Sequence, residues 1–230
     1  MVKIKTFLDK LHRKWIKLRL QPIRIFCLHH VCEQFNAESM YQCDWMELSC
    51  FKEKINALRS HGYKFISLKE AYNHLNSDWF RRKKYAVLTF DDGYKSLLDI
   101  LPWLEKQNIP ATLFVNGKYL DGKSYRESPK EQYLTYEELS ALNSPLIEIG
   151  HHGWEHTDAT KMTKEELRES VHKNIEILSS HPRYISFWAY TWGRYTVETN
   201  QILRTNEIIP VYVNGMKNYT NEGFINRELL

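Results

Sequence analysis

Short apolar runs alternate with amphipathic stretches along this chain, and that alternation defines the elements. Tyr85 to Thr89 carries five β-forming or small apolar residues without a charge, the pattern of a strand buried on both faces. Ile23 to Leu28, Ala111 to Val115, Leu146 to Ile149, Ile185 to Tyr190 and Ile208 to Val213 read as further strands, with Phe224-Ile225 a weak one. Helical periods fall between them. Phe51, Ile55 and Leu58 follow Ser49, a candidate N-cap, and run to Gly62. Ser67-Leu68-Lys69-Glu70 is a capping box that opens a second helix, and Leu97, Leu98, Leu101 and Leu104 form a third helical face through Pro102, stopped at Asn108-Ile109-Pro110. Two more capping boxes start at Thr135 and Thr163, the second leading a helix with Leu167, Val171, Ile175 and Leu178 on one side. Residues 117–134 have no period and read as a loop. Strand and helix alternate six or seven times with no linker of domain-boundary composition. This predicts an α/β domain over residues 23–230, on a mostly parallel sheet that is open or closed into a barrel.

Residues 1–22 have a different character. Ile4, Leu8, Leu11, Trp15 and Leu18 recur at spacings of four and three between cationic flanks, an amphipathic helical stripe that ends at Pro22. Residues 1–24 hold eight Lys/Arg against Asp9 alone, a balance of +7 that leaves the remaining chain at −3 within the total of +4. This stretch reads as a helix in the headgroup region of an anionic membrane, anchored by Trp15, as a helix packed on the domain, or as a partly disordered arm. The body lacks the basic surplus of a nucleic-acid binder. No run of eighteen apolar residues predicts a transmembrane helix, and no apolar h-region follows the basic start as in a secretory signal. The expected location is cytoplasmic, peripheral on the inner face of the membrane through residues 1–22. The four cysteines (Cys27, Cys32, Cys43 and Cys50) show no CxxC spacing; they allow two disulfides in an exported protein and, without an export signal, are expected as reduced thiols.

Chemistry gathers at strand ends. The central strand runs straight into Asp91-Asp92-Gly93. Two adjacent carboxylates that lose hydration together call for a cation or a proton between them, and the glycine permits a sharp turn just beyond. At the C-terminal end of a parallel strand this reads as a metal and general-base pair, or else as an acidic turn. His152-Gly153-Trp154-Glu155-His156 places two imidazoles four apart, read as one side of a helical turn, after a second predicted strand. With Asp92 they make two nitrogens and one carboxylate, a common catalytic metal set that leaves a position for water. His151 is the rival ligand, and the first strand delivers both His29 and His30.

Thr89-Phe90-Asp91-Asp92-Gly93 and His152-Gly153-Trp154-Glu155-His156, about sixty residues apart, resemble the first two motifs of the polysaccharide deacetylases, carbohydrate esterase family 4. Leu28-His29-His30-Val31 is similar to the Tyr-His-x-Val opening of that family's poly-N-acetylglucosamine deacetylase branch. Phe187-Trp188-Ala189-Tyr190-Thr191-Trp192-Gly193-Arg194-Tyr195 is similar to its Phe-Ala-Tyr-Pro-Tyr-Gly-Arg. The resemblance implies a distorted (β/α)7-type barrel and a divalent metal, Zn²⁺ by default, on Asp92, His152 and His156. It further implies Asp91 as general base, His29 as general acid and the backbone amide of Trp192 as oxyanion donor. Two departures stand out: Thr191-Trp192 replaces Pro-Tyr, and the arginine of the wider family's third motif is absent at Ala189 or Tyr190.

The function so implied is removal of N-acetyl groups from N-acetylhexosamine residues of a bacterial surface polysaccharide or its lipid-linked precursor. The altered Thr191-Trp192 wall leaves room for a deformylase or other amide hydrolase on an N-acylated amino sugar. A non-catalytic glycan-binding or membrane-tethered scaffold is the third reading, although sugar binding alone has no need of the Asp91, Asp92, His152 and His156 set.

Overall fold

A computed structural model describes residues 21–33, 45–77, 83–121 and 133–230. The basic leader up to residue 20, Cys43 and most of the loop predicted over 117–134 lie outside the described residues. Among the described residues, no helix is long and apolar enough to cross a membrane.

The strands are β1 (Ile23–Leu28), β2 (His30–Cys32), β3 (Trp45–Glu47), β4 (Tyr63–Phe65), β5 (Lys84–Phe90), β6 (Ala111–Val115), β7 (Ile147–His151), β8 (Tyr184–Ala189), β9 (Ile209–Val213) and β10 (Ile225–Leu229). The helices are α1 (Leu48–Ser60), α2 (Leu68–Ser77), α3 (Leu97–Lys106), α4 (Tyr136–Ala141), α5 (Lys164–Leu178) and α6 (Val197–Thr205). Strands β5, β6, β7, β8, β9, β10 and β1 pair in that order, all parallel, and β1 returns to β5 through a six-residue register from Ile23↔Tyr85 to Leu28↔Phe90. The result is a closed seven-stranded parallel barrel. The closure is uneven: β4 takes the first half of one edge of β5 and β6 the second half.

Strand period decides what faces in. Ile23 and Ile25 on β1, Tyr85 and Val87 on β5, Phe114 on β6, Ile185, Phe187 and Ala189 on β8, Val211 on β9 and Ile225 on β10 form one buried cluster, the barrel interior. Helix α2 packs Leu68, Ala71 and Leu75 against it. The opposite faces of β1, β5, β6 and β7 (Phe26, Leu88, Leu113 and Ile149 among them) pack with Phe51 and Ile55 of α1 and Ile100 and Leu104 of α3 in a second cluster. Both faces of the central strands are therefore apolar, which is why the central strands read as runs rather than alternations. Gly150 on β7 is the narrow point. A Cβ there would sit 2.7 Å from the Phe114 ring and 3.0 Å from the Phe187 carbonyl oxygen, so only hydrogen fits.

Several boundaries differ from the sequence reading. Helix α1 begins at Leu48 after Glu47, and Ser49 lies in its first turn rather than at the cap. Ser67 Oγ does accept the Glu70 amide, 3.2 Å, but the Leu68 amide turns to the Glu148 carboxylate at 2.9 Å. The boxes at Thr135 and Thr163 both form with their reciprocal bonds. Strand β7 continues through His151, and the weak strand at Phe224-Ile225 is the five-residue β10, which closes the barrel.

Candidate active site

The inward rows change from apolar to polar toward the C-terminal ends of the strands. On β1 the row Ile23, Ile25 continues to Cys27 and His29; on β5, Tyr85 and Val87 continue to Thr89 and Asp91; on β10, Ile225 is followed by Arg227. Main-chain bonds fix the two acid- and histidine-bearing ends. The Asp91 amide donates to the Leu28 carbonyl and the His152 amide to the Val115 carbonyl, each at 2.9 Å. Cys27, His29, Asp91, Asp92, His152, His156, Tyr190, Trp192 and Gly193 then line one cavity of about 230 Å³.

His152 and His156 converge on one atom. Their Nε2 atoms lie 3.2 and 3.0 Å from Oδ1 of Asp92, which is almost fully buried. His152 Nδ1 lies 2.9 Å from the Ala189 carbonyl oxygen, which only accepts, so Nδ1 carries the proton. In the neutral ring Nε2 then presents a lone pair to a carboxylate oxygen, a repulsive arrangement that a proton or cation between them resolves. Two imidazole nitrogens and one carboxylate oxygen within 4.8 Å of one another suit a divalent ion. The residues present therefore fit the metal that the sequence motifs imply.

The segment from His152 to His156 is not a helical turn. Gly153 has φ +82° and His156 φ +56°, so the chain bends twice between them and brings both rings to Asp92 from a loop. Asn116, fully buried at the end of β6, holds this loop by donating to the carbonyls of His152 (2.5 Å) and Gly153 (3.2 Å). The Lys118 amide donates to the Trp154 carbonyl and the Tyr119 hydroxyl to that of Glu155, 3.0 and 2.9 Å. Among the described residues, Asp92 (φ +70°), His156 and Trp192 (φ +57°) are three of the five non-glycine residues in the left-handed region, each held there at a cost of order 1–2 kcal/mol. Gly93, φ +77°, completes the turn after Asp92, with Val115 Cγ1 3.0 Å from where a Cβ would be.

Asp91 is gripped by a residue the sequence reading missed. Arg227, fully buried, lays a two-pronged guanidinium on it: Nη1 donates to Oδ1 at 2.5 Å and Nη2 to Oδ2 at 2.8 Å. Nη1 also donates to Thr89 Oγ1, 2.9 Å, whose hydroxyl donates to the Phe26 carbonyl. Burial pushes the Asp91 carboxyl up, but Arg227 and His152 outweigh it and hold it down to about 2. Burial likewise pushes Asp92 up, and the imidazoles of His156 and His152 bring it well below the usual carboxylate range. Cys27 Sγ lies 3.4 Å from Asp91 Oδ2, and burial pushes its thiol well above the ordinary value against the pull of Arg227.

The rival histidines sit elsewhere. His151 is fully buried with Nε2 2.8 Å from the Tyr184 hydroxyl and its ring stacked on Trp188, and burial draws its pKa down to about 3. His30 is stacked between Trp45 and Tyr94, with centroids 4.1 and 3.6 Å away, outside the cavity that His29 lines. The Trp192 indole is 56% exposed, edge-on to His156 at 4.9 Å. Its turn is tied to the histidine loop by Thr191 Oγ1, which donates to the Thr157 carbonyl, and by Arg194, which donates to Asp158 at 2.8 Å.

A closed parallel barrel whose strand ends assemble a carboxylate pair and two loop histidines gathers the groups of a hydrolytic site at one rim. The chain belongs to the polysaccharide deacetylase family, whose model matches residues 80–210. It is 26% identical over 151 residues to the Bacillus subtilis (strain 168) protein YxkH, whose name places it among the polysaccharide deacetylases, covering 65% of this chain and 51% of that one. It is 24% identical over 145 residues to the poly-β-1,6-N-acetyl-D-glucosamine N-deacetylase of Escherichia coli (strain K12), covering 59% of this chain and 22% of that one. The chain thus spans about half or less of the length of these relatives. The solved structure of IcaB from Ammonifex degensii superposes with a TM-score of 0.75 at 23% identity, covering 91% of this chain and 92% of that one, a likeness of fold.

Proposed function

We propose that this protein is a metal-dependent N-deacetylase acting on N-acetylhexosamine residues of a surface glycan or its lipid-linked precursor. The observation that carries the reading is the convergence of His152 and His156 on one buried oxygen of Asp92, beside a second carboxylate that Arg227 keeps ionised. An ion held by Asp92, His152 and His156 would supply Lewis acidity and a more acidic water. Asp91 accepts the proton of the water that attacks the acetyl carbon. The Trp192 amide, presented by its left-handed turn at the cavity wall, donates to the developing oxyanion. His29, which lines the same cavity, protonates the amine as the C–N bond breaks, leaving acetate and a free amino sugar. The fork from Arg227 makes Asp91 a weak base, and its role is correspondingly one of orientation as much as basicity.

The lipid-linked and inner-membrane parts of the proposal rest on the sequence of residues 1–22, where five apolar residues recur at helical spacing among cations. The deformylase reading keeps its motive in Trp192, whose indole stands exposed where the resembling branch has tyrosine. The test is acetate and formate release across paired N-acetyl and N-formyl amino sugars, free, polymeric and lipid-linked, with metal content measured on the same samples. Acetate release that follows metal content and vanishes in Asp91→Asn is the expected result. Unchanged glycan binding with no acyl release would leave the scaffold reading standing.

A further inference from the structure

We propose that Cys27, His29 and Asp91 form a second cation site, selective for thiophilic divalent ions such as Zn²⁺ and Cd²⁺, whose occupation switches the enzyme off. The three side chains offer a sulfur, an imidazole nitrogen and a carboxylate oxygen, all within 4.8 Å of one another, and they share no ligand with the Asp92, His152 and His156 set. Cys27 Sγ and Asp91 Oδ2 are already 3.4 Å apart. In a tetrahedral zinc site with the usual Zn–S, Zn–N and Zn–O lengths, neighbouring ligand atoms are about 3.4–3.6 Å apart. Cys27 occupies a position in the inward row of β1 where Ile23 and Ile25 precede it, so packing alone would be served by an aliphatic side chain. The row instead ends in a thiol aimed at a carboxylate, on the wall of a cavity that also holds His29.

Arg227 does not block this site. A carboxylate offers about four lone-pair positions and the guanidinium fork takes two of them. The thiol gives up its proton to solvent as the sulfur–metal bond forms, so the ion arrives with one new negative charge beside the guanidinium. A hard ion such as Mg²⁺ or Ca²⁺ gains little from a thiolate and is not expected there. The inhibitory consequence rests on the deacetylase reading above. Asp91 and His29 are the two proton-transfer groups of that reading, and one ion would engage both at once.

The metal-free full chain, kept reduced, is titrated with Co²⁺, and the near-ultraviolet thiolate-to-cobalt charge-transfer band is followed. Zn²⁺ and Cd²⁺ stoichiometry and proton release are measured in parallel. Wild type is expected to bind two ions, with the band tied to one of them and one thiol proton released. Cys27→Ser is expected to bind a single ion with no band, whereas Asp92→Ala keeps the band. Acetate release, normalised to each protein's own rate at one equivalent of zinc, is expected to fall by about a hundredfold or more as the second ion binds to wild type, the loss expected when a proton-transfer group is removed. In Cys27→Ser it should hold steady. A band that survives Cys27→Ser, or a wild type that binds one ion without any band, overturns the second site. Equal inhibition of wild type and Cys27→Ser overturns its effect on the reaction. One ion that carries the band, and none on Asp92, would instead sink the metal assignment underlying the deacetylase reading while leaving this site in place.

Discussion

Arg227 on the last strand grips Asp91 on the central one with two hydrogen bonds of 2.5 and 2.8 Å, both residues buried. The pair joins the element that closes the barrel to the carboxylate that we assign as base. Removing one partner of a buried ion pair strands the other, which costs about 3–5 kcal/mol. Arg227→Met should therefore lower stability by that order in a urea titration and lower turnover as well. The double variant Asp91→Asn/Arg227→Met should recover much of the stability and none of the turnover. Single and double variants of equal stability would show that the pair is uncoupled.

Asn116 is expected to act through the loop it holds. Asn116→Ala removes two donations to the His152 and Gly153 carbonyls and leaves both buried, at about 1–3 kcal/mol. Metal affinity should fall about 10–100-fold, as when other groups that orient a ligand are removed. Asn116→Asp should be worse than alanine, because a carboxylate would face two carbonyl oxygens. Calorimetric metal titration of the two variants gives the order directly.

Loss of a ligand should weigh more than loss of its support. Asp92→Ala and His156→Ala should each weaken zinc binding at the Asp92 site by more than about a hundredfold, beyond the range of the orienting groups. His151→Ala should leave affinity within a few-fold, since His151 faces Tyr184 and Trp188. Metal content after dialysis against a zinc buffer separates the three.

Trp192 should show opposite signs for stability and activity. Trp192→Gly relieves a left-handed backbone, so the folded state should be unchanged or up to about 1 kcal/mol more stable despite the greater freedom of the unfolded chain. Losing the exposed indole beside His156 should raise KM for oligosaccharide more than it lowers kcat. Thermal melts and steady-state kinetics on the same preparation test both signs.

Gly150 is a packing constraint rather than a hinge. Gly150→Ala drives a methyl into Phe114 and should destabilise by about 1–3 kcal/mol, partly rescued by Phe114→Leu. Equal losses in the single and double variants would mean that the Phe187 carbonyl, not the ring, sets the limit.

How far the sequence could be read depended on what each position carries. Asp91, Asp92, His152 and His156 stood out because each group ends a run of apolar strand residues, so a polar break is visible. Arg227 did not, because β10 reads Ile225-Asn226-Arg227-Glu228-Leu229: its inward row is interrupted by a cation and its outer row is polar. Two-residue alternation from Ile225 was the available signal. The same alternation from Ile23 and Ile25 leads to His29 rather than His30, which agrees with the cavity His29 lines. The spacing of His152 and His156 suits a helical turn and a twice-bent loop alike. Only backbone angles at Gly153 and His156 distinguish the two. The helix start at Leu48 was hidden for a different reason, since Ser49 is a good cap that lies two residues too deep.

Because the counter-charge for Asp91 comes from β10, a chain folded only through β9 would leave that carboxylate without the guanidinium that balances it. The stave that closes the barrel thus also balances the charge at its mouth. On the proposed deacetylase reading, hydrolysis would wait until the cylinder has sealed.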